Sequence, residues 1–463
     1  GFAPAEVPPI ARDLPLADVE AYSVDDITTT EIDDALSVQQ LDDGTLRVGI
    51  HIAAPGLAVT RDSNLDALAR ARMSTVYMPG DKIPMQPEEV IKAFSLDAGA
   101  PVPAVSLYVV ADPETGEVLS HESRIERIVV RENLRHNVLD DVVTEALLDD
   151  PSAEVPYGHV FRPLWRLAKA LSAKRDQVRG KPESNNRVDF SFYVDGDPDR
   201  PEEARVRIVQ RKRNAPLDRL VAEYMILANS LWGGLLASCG VPGIYRSQQM
   251  GRVRMGTAAA PHESIGVPQY AWFTSPLRRY VDLVNQGQLI AAIDHGVSAR
   301  LAAPFKPREA DLYAIISAFE AKYGAYADFQ QAMERFWCLR WLKQEGLRRV
   351  EAVVLRDDLV RLKDAPFYTR VGTLPSLERG QHVMLEIMGD DELELTLDCR
   401  FLDVVESAQA DDDIEEEPAA EEHAQAAEID AADGPDPTDA RLVDASERHA
   451  PDSEDAGGTP PAS

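Results

Sequence analysis

The chain has 463 residues, with 79 acidic against 48 basic side chains, a formal charge of −31 at pH 7 and 44% hydrophobic residues. That length and apolar content allow two or three cores, and exclude a disulfide miniprotein or a wholly disordered polymer. So acidic a balance also excludes a surface that is basic throughout, the usual footprint of a nucleic-acid binder, because affinity for a polyanion comes from Lys and Arg neutralising phosphates.

The charge is unevenly spread. From Ser407 to Ser463 there are 18 acids, two arginines and no aromatic residue, the composition of a disordered, self-repelling tail. Its net −16 leaves −15 on the rest, so a nucleic-acid site would have to be a local basic channel. Cys239, Cys338 and Cys399 are far apart and show no metal-ligand spacing, which fits packing roles in a reducing compartment. No uninterrupted apolar run reaches the ~18 residues of a membrane span, and no basic-then-apolar leader opens the chain. A cytoplasmic protein is expected. The first residue is not Met, which points to processing or to a segment upstream.

In chain order, residues 1–20 read as a proline-rich extended lead-in. The stretch SVDDITTTEIDDA, Ser23 to Ala35, carries five acids in thirteen residues. It fails the EF-hand pattern, since Thr30 and Leu36 stand where Gly and Glu are required. Asp33 and Asp34 are adjacent, so a regular strand would point them to opposite faces, and a shared site needs a loop or separate roles. The apolar run Leu46–Ala54 predicts a buried strand, and the segment from Asn64 a short helix. A long hairpin follows, around the turn DPETGE. A second hairpin, VDFSFYVDG with EARVRIVQRKRN, holds the densest basic stretch: Arg187, Arg205, Arg207, Arg211, Lys212 and Arg213. It leads into an apolar helix from Leu217. Ser275 and Pro276 predict a helix start, which would place Arg278 and Arg279 in its first turn. Cations there oppose the helix dipole unless an anion binds. Another helix is expected from near Arg308 to Arg348, and then short strands from Val350 to Val405 with the look of a small antiparallel barrel.

The strings SVDDITTTEIDDALSV, GIHIA, YMPGDKIPM, AEYMILAN and FTSPLRRYVDLVN, in that order, resemble the ribonuclease II and ribonuclease R family of exoribonucleases, built on an RNB catalytic domain. The resemblance covers Asp18 to Leu342. It implies an α+β protein: a mixed α/β RNB domain over 21–348, an OB-type RNA-binding barrel over 349–406, and the acidic tail over 407–463. It also implies a monomer, unattached to membranes, that degrades single-stranded RNA from 3′ to 5′ with Mg2+, Mn2+ being able to substitute. By the same resemblance Asp25 and Asp34 ligate metal, Glu31 assists through water, Asp33 orients or activates the attacking water, and Arg278 clamps the phosphate with Arg279 as a structural neighbour that pairs with a carboxylate, the reverse assignment of the two arginines staying open. Tyr77 and Phe192, with Phe190 as rival, would stack on terminal bases. Glu223, Arg279 and Glu334 would contact RNA near the site. A binding module that cuts nothing is the alternative. Three departures stand out: Glu31 where the family usually has Asp, Trp272 where it has His, and Ala54 where it has Asp.

Overall fold

The computed structural model describes residues 5–182, 188–196, 203–212 and 215–405. The expected tail and Arg187 and Arg213 lie outside them.

The first body is built on a closed barrel of five strands: β1 (Ala21–Asp25), β2 (Asp34–Gln40), β3 (Leu46–Ala53), and two strands taken after the insertion described below, β6 (Pro101–Ala111) and β7 (Val118–Arg135). Neighbours pair antiparallel in sequence order, and the parallel pairing of β1 with β7 closes the ring. Val48, Ile50 and Ile52 on β3 are fully buried with Val105, Leu107 and Val109 on β6, the run of apolar residues expected of a strand covered on both faces. On the other face of β3, His51 bridges Ser37 Oγ (2.9 Å from Nε2) and Ser106 Oγ (2.8 Å from Nδ1). Gly49 makes room for this bridge, since a Cβ there would lie 2.4 Å from Ser37 Oγ and 2.6 Å from His51 Nε2.

Between β3 and β6 the chain inserts α1 (Asn64–Arg72), a hairpin of β4 (Val76–Met78) and β5 (Asp81–Ile83), and α2 (Glu88–Phe94). Ser63 caps α1 by accepting the Asp66 N–H (3.1 Å). After β7 come the short α3 (His136–Leu139) and α4 (Glu145–Asp149), then α5 (Gly158–Arg179). Sequence reading missed α5, although Phe161, Leu164, Trp165, Ala168 and Leu171 follow helical spacing along its buried face. Pro163 falls within its second turn. The second hairpin forms as expected, as β8 (Val188–Asp195) and β9 (Arg205–Lys212). Next are α6 (Pro216–Ser238), a short hairpin of β10 (Tyr245–Gln249) and β11 (Arg252–Gly256), α7 (Tyr280–His295), the one-turn α8 (Ala299–Ala302) and α9 (Ala310–Gln344). By length and composition α6 could cross a membrane, contrary to the count of uninterrupted apolar residues, yet most of it is buried among its neighbours. Its Tyr224 hydroxyl donates to Leu164 O (2.8 Å) on α5 and its Trp232 Nε1 to Ser123 Oγ (3.0 Å) on β7. These are contacts of a core helix.

The helix expected from Ser275 begins five residues later. Residues 275–279 form a turn in which Ser275 O accepts from Arg278 N (3.2 Å) and Arg279 N (2.9 Å). Asp282, in the first helical turn, takes the Ser275 N–H (2.9 Å). The conflict between two cations and the helix dipole therefore falls away, because Arg279 is the N-cap and bonds Asp282.

The C-terminal strands are β12 (Arg349–Arg356), β13 (Leu359–Leu362), β14 (Tyr368–Arg370), β15 (His382–Asp391) and β16 (Thr396–Val404). They form an antiparallel sheet in the order β14-β13-β12-β15-β16. Its backbone pairing is open where a barrel was expected. The sheet curls until Thr369 Oγ1 on β14 donates to Leu397 O on β16 (2.9 Å). A separate core of Val350, Val354, Phe367, Val383 and Leu385 packs there against Cys338, Leu339 and Leu342 of α9.

Candidate active site

The acidic stretch crosses the end of the barrel. Asp25 closes β1, Asp34 opens β2, and Glu31 and Asp33 lie in the connection between them. Asp33 is buried; its Oδ1 accepts the Leu277 N–H (2.9 Å) and its Oδ2 the Arg278 Nε–H (3.2 Å). Those donors come from the turn before α7, so a contact between residues 245 apart in sequence joins the two strongest motifs. The turn is itself pinned, since Arg278 O accepts from Thr75 N (2.9 Å) and Ser74 Oγ (3.2 Å). That segment leads directly into β4 and Tyr77.

Burial sets the electrostatics. It raises the Asp25 carboxyl to about 6 and the Asp33 carboxyl to about 7, against the pull of nearby arginines and hydrogen bonds. Asp34 is raised well above the ordinary range by burial, then by repulsion from Asp25 and Asp33. Burial likewise raises the Tyr77 phenol, which lies beside Arg278, Glu31 and Asp33. Adjacent Asp33 and Asp34 thus have different surroundings: Asp33 is bonded to the arginine turn and Asp34 faces Asp25.

Do these residues fit a divalent cation? Among the described residues no three acidic, histidine or cysteine side chains stand close enough together to enclose one. Magnesium does not need such a cage, being held characteristically by one or two carboxylates with waters and substrate phosphates completing its shell. Asp25 Oδ2 is buried with no hydrogen-bond partner among the described residues, and so is Glu31 Oε1. A buried anionic oxygen left unpaired is costly. The unpaired Asp25 oxygen, beside an Asp34 carboxylate close enough to repel it, would fit a magnesium ion that takes two carboxylates and completes its shell with water. Glu31 is buried and committed on its other oxygen to Lys82 Nζ, which also donates to Thr30. Lys82, on β5, was not singled out from sequence; its only signal was its place in YMPGDKIPM.

The structure brings Asp25, Glu31, Asp33, Asp34, Tyr77 and Arg278 together. It places the remaining candidates elsewhere or commits them to other partners. Arg279 is adjacent but buried, with Nε on Asp282 Oδ2 (2.8 Å) and its guanidinium 4.3 Å from the Trp272 ring. As placed, it is the structural neighbour of Arg278, paired with a carboxylate. Trp272 also takes Arg246 at 4.5 Å and Phe319 edge-on, so the residue standing for the family's histidine is a packing residue. Glu223 is held in a buried ion pair with Arg175 of α5, Nε to Oε2 at 3.0 Å. Arg175 could not be anticipated without α5. Phe192 packs with Ile208 against the C-terminal sheet, and Phe190 lies under the Arg361 guanidinium at 5.8 Å. Glu334 sits partly buried on α9, one turn before Cys338, where the helix meets that sheet. Of the basic hairpin residues, Arg207 stacks at 5.2 Å on Tyr193 and Arg205 pairs across from Asp195.

Comparison with known proteins agrees with this arrangement. The family model described as the RNB domain matches residues 13–254 and 247–295. An uncharacterised ribonuclease of Synechocystis is 27% identical over 375 residues, 74% of this chain and 52% of its own. The chloroplastic/mitochondrial ribonuclease II of Arabidopsis thaliana is 25% identical over 377 residues, 74% of this chain and 44% of its own. The chain spans about half the length of such curated relatives. Mycoplasma genitalium RNase R, solved in complex with ribose-methylated single-stranded RNA, superposes with a TM-score of 0.69 at 15% identity, over 84% of this chain and 72% of that one. Yeast Ssd1, described as a pseudonuclease, superposes at 0.59 with 16% identity, over 82% and 54%. The fold is thus that of RNase R.

Proposed function

Because the chain belongs to the RNB-domain family, we propose that it is a magnesium-dependent 3′-to-5′ exoribonuclease that hydrolyses single-stranded RNA to nucleoside 5′-monophosphates. The observation that carries this reading is the direct bond between Asp33 and Arg278, which sets a buried acidic cluster against a guanidinium, a group suited to binding phosphate. Relatives named ribonuclease and exoribonuclease support it.

In this reading Asp25 and Asp34 hold the metal, with Mn2+ able to replace Mg2+, and Glu31 assists through water while Lys82 fixes its position. The bound ion would supply a nucleophilic water and neutralise charge on the phosphoryl oxygens. Asp33, on the arginine side of the cluster, orients or activates that water. Arg278, aimed by its Nε bond to Asp33, donates to the phosphate as charge builds in the transition state. Tyr77 stacks on a terminal base. Glu223, Arg279 and Glu334 would contact RNA near the site, and Phe192, with Phe190 as its rival, would stack on a terminal base beside Tyr77. We assign residues 21–348 to catalysis, 349–406 to an OB-type RNA-binding module, 1–20 to a lead-in and 407–463 to an acidic tail. The protein would act as a cytoplasmic monomer without a membrane.

A gel time course of 5′-labelled single-stranded RNA with Mg2+ tests the proposal, run beside Asp33→Asn and a 3′-phosphate-blocked substrate. Stepwise shortening that the substitution abolishes is expected. The likeness to Ssd1 favours one alternative, an RNB-like module that binds RNA without cutting it. Intact RNA retarded on a native gel would establish that module and refute the nuclease.

A further inference from the structure

The loop after Asp25 is shaped by side chains. Asp26 Oδ1 accepts the N–H (2.7 Å) and the hydroxyl (2.6 Å) of Thr28, and Asp26 O accepts the Thr29 N–H (3.0 Å). Such a turn is self-contained and does not determine where the loop sits on the barrel. Its position comes from the end of β7 and from α3. Asn137 Oδ1 accepts the Ile27 N–H (2.9 Å), Asn137 Nδ2 donates to Asp26 Oδ2 (2.7 Å), and Arg135 donates to Asp26 O (2.7 Å). One amide thus grips a backbone donor and a carboxylate next to Asp25 at once. Only a side chain with a donor and an acceptor on one carbon can do both.

The same Nδ2 also donates to Tyr193 Oη (3.1 Å) on β8. That hairpin is seated on the C-terminal part of the chain. Phe192 and Ile208 pack on the C-terminal sheet, and Gln344 of α9 exchanges two bonds with the Val206 backbone (2.9 and 3.0 Å). Val194 lies so close to Gly80, at the tip of β4–β5, that a Cβ there would come within 2.7 Å of it. Asn137 is therefore the junction between the loop beside Asp25 and a hairpin anchored on α9 and the C-terminal sheet.

We propose that Asn137 is a positioning residue for the Asp25 carboxylate, and that its bond to Tyr193 makes the placement of that carboxylate depend on the seating of the β8–β9 hairpin. The proposal rests on the reading of Asp25 as a metal ligand. Residues that orient metal ligands from behind characteristically change metal affinity by about 10- to 100-fold when removed.

The test is calorimetric titration of the full chain with Mn2+ without RNA, taking as signal the difference from Asp25→Asn so that binding by the other acids cancels. Asn137→Ala should weaken the Asp25-dependent binding about tenfold or more. It should also lower kcat on single-stranded RNA, recoverably by excess Mn2+, with KM for RNA unchanged. Tyr193→Phe, which removes one hydroxyl from a half-buried ring, should shift Mn2+ affinity the same way by about fivefold, the scale of one neutral hydrogen bond. A folded Asn137→Ala protein with wild-type Mn2+ affinity would overturn the proposal, as would an Asp25→Asn protein that binds Mn2+ like wild type. Should Asn137→Ala not fold, Tyr193→Phe decides: a weakened Mn2+ midpoint supports the proposal and an unchanged one overturns it. Wild-type protein that binds Mn2+ through Asp25 but leaves RNA intact would count against the exoribonuclease alone.

Discussion

Acid should weaken the barrel through one histidine. His51 is wholly buried between two serine hydroxyls, and burial lowers its pKa from 6.5 to about 3. The folded state therefore stays neutral at His51 where the unfolded chain takes up a proton. Because the folded value is the lower one, stability is intact above 6.5 and declines as pH falls from there towards 3. Working the linkage from these two values gives a loss of about 1.4 kcal/mol at pH 5.5, with a slope approaching about 1.4 kcal/mol per unit. Staying at pH 5.5 keeps the chain above its isoelectric point of about 4.7. The assay is urea unfolding of wild type and His51→Gln in EDTA between pH 8 and 5.5. Asp25 and Asp33 titrate in the same window with the opposite sign. Their raised pKa values make them least destabilising in acid and most so as pH rises through about 6 to 7. They are common to both proteins, so the difference between the two profiles isolates His51. Parallel profiles from pH 7.5 to 5.5 would refute the reasoning and show that the histidine is protonated in the fold or that the barrel opens to water.

Three further outcomes follow from the same structure. Asp34→Asn should raise the stability of the metal-free protein at pH 8, since burial and two neighbouring carboxylates oppose its charge, while abolishing RNA degradation; a lower urea midpoint in EDTA would contradict this. Glu223→Ala should cost about 3–5 kcal/mol by stranding Arg175 in the interior; unchanged stability with weakened RNA binding would instead assign Glu223 directly to the substrate. Arg278→Lys keeps the charge but loses the planar fork and its Nε donor to Asp33, and kcat should fall on the order of 10²-fold or more; single-turnover rates within threefold of wild type would remove Arg278 from the chemistry.

Local pattern was enough for much of the architecture. Periodicity in Leu46–Ala53 and in the β6–β7 and β8–β9 hairpins placed those strands, and the apolar surface of α6 marked it as a helix, because side-chain spacing along one segment carries that information. The family strings identified the acidic stretch and the arginine turn as parts of one site. Sequence could not show closure of the barrel by the parallel pairing of β1 with β7, a contact across about a hundred residues. It could show α5, whose apolar face recurs at helical spacing, although no element was assigned there; it could not show that Ser275 begins a turn and not a helix, which depends on Asp282 reaching back to its N–H. Pairing partners were decided last of all. Glu223 with Arg175, Arg279 with Asp282, Phe192 with the C-terminal sheet and Asn137 with both Asp26 and Tyr193 are each set by which surfaces the packed core brings within bonding distance. A sequence records which charges and rings are present; their desolvation and their partners exist only once the chain has folded, so the carboxylate pKa shifts and the hydrogen-bond partners of the acids belong to the tertiary structure.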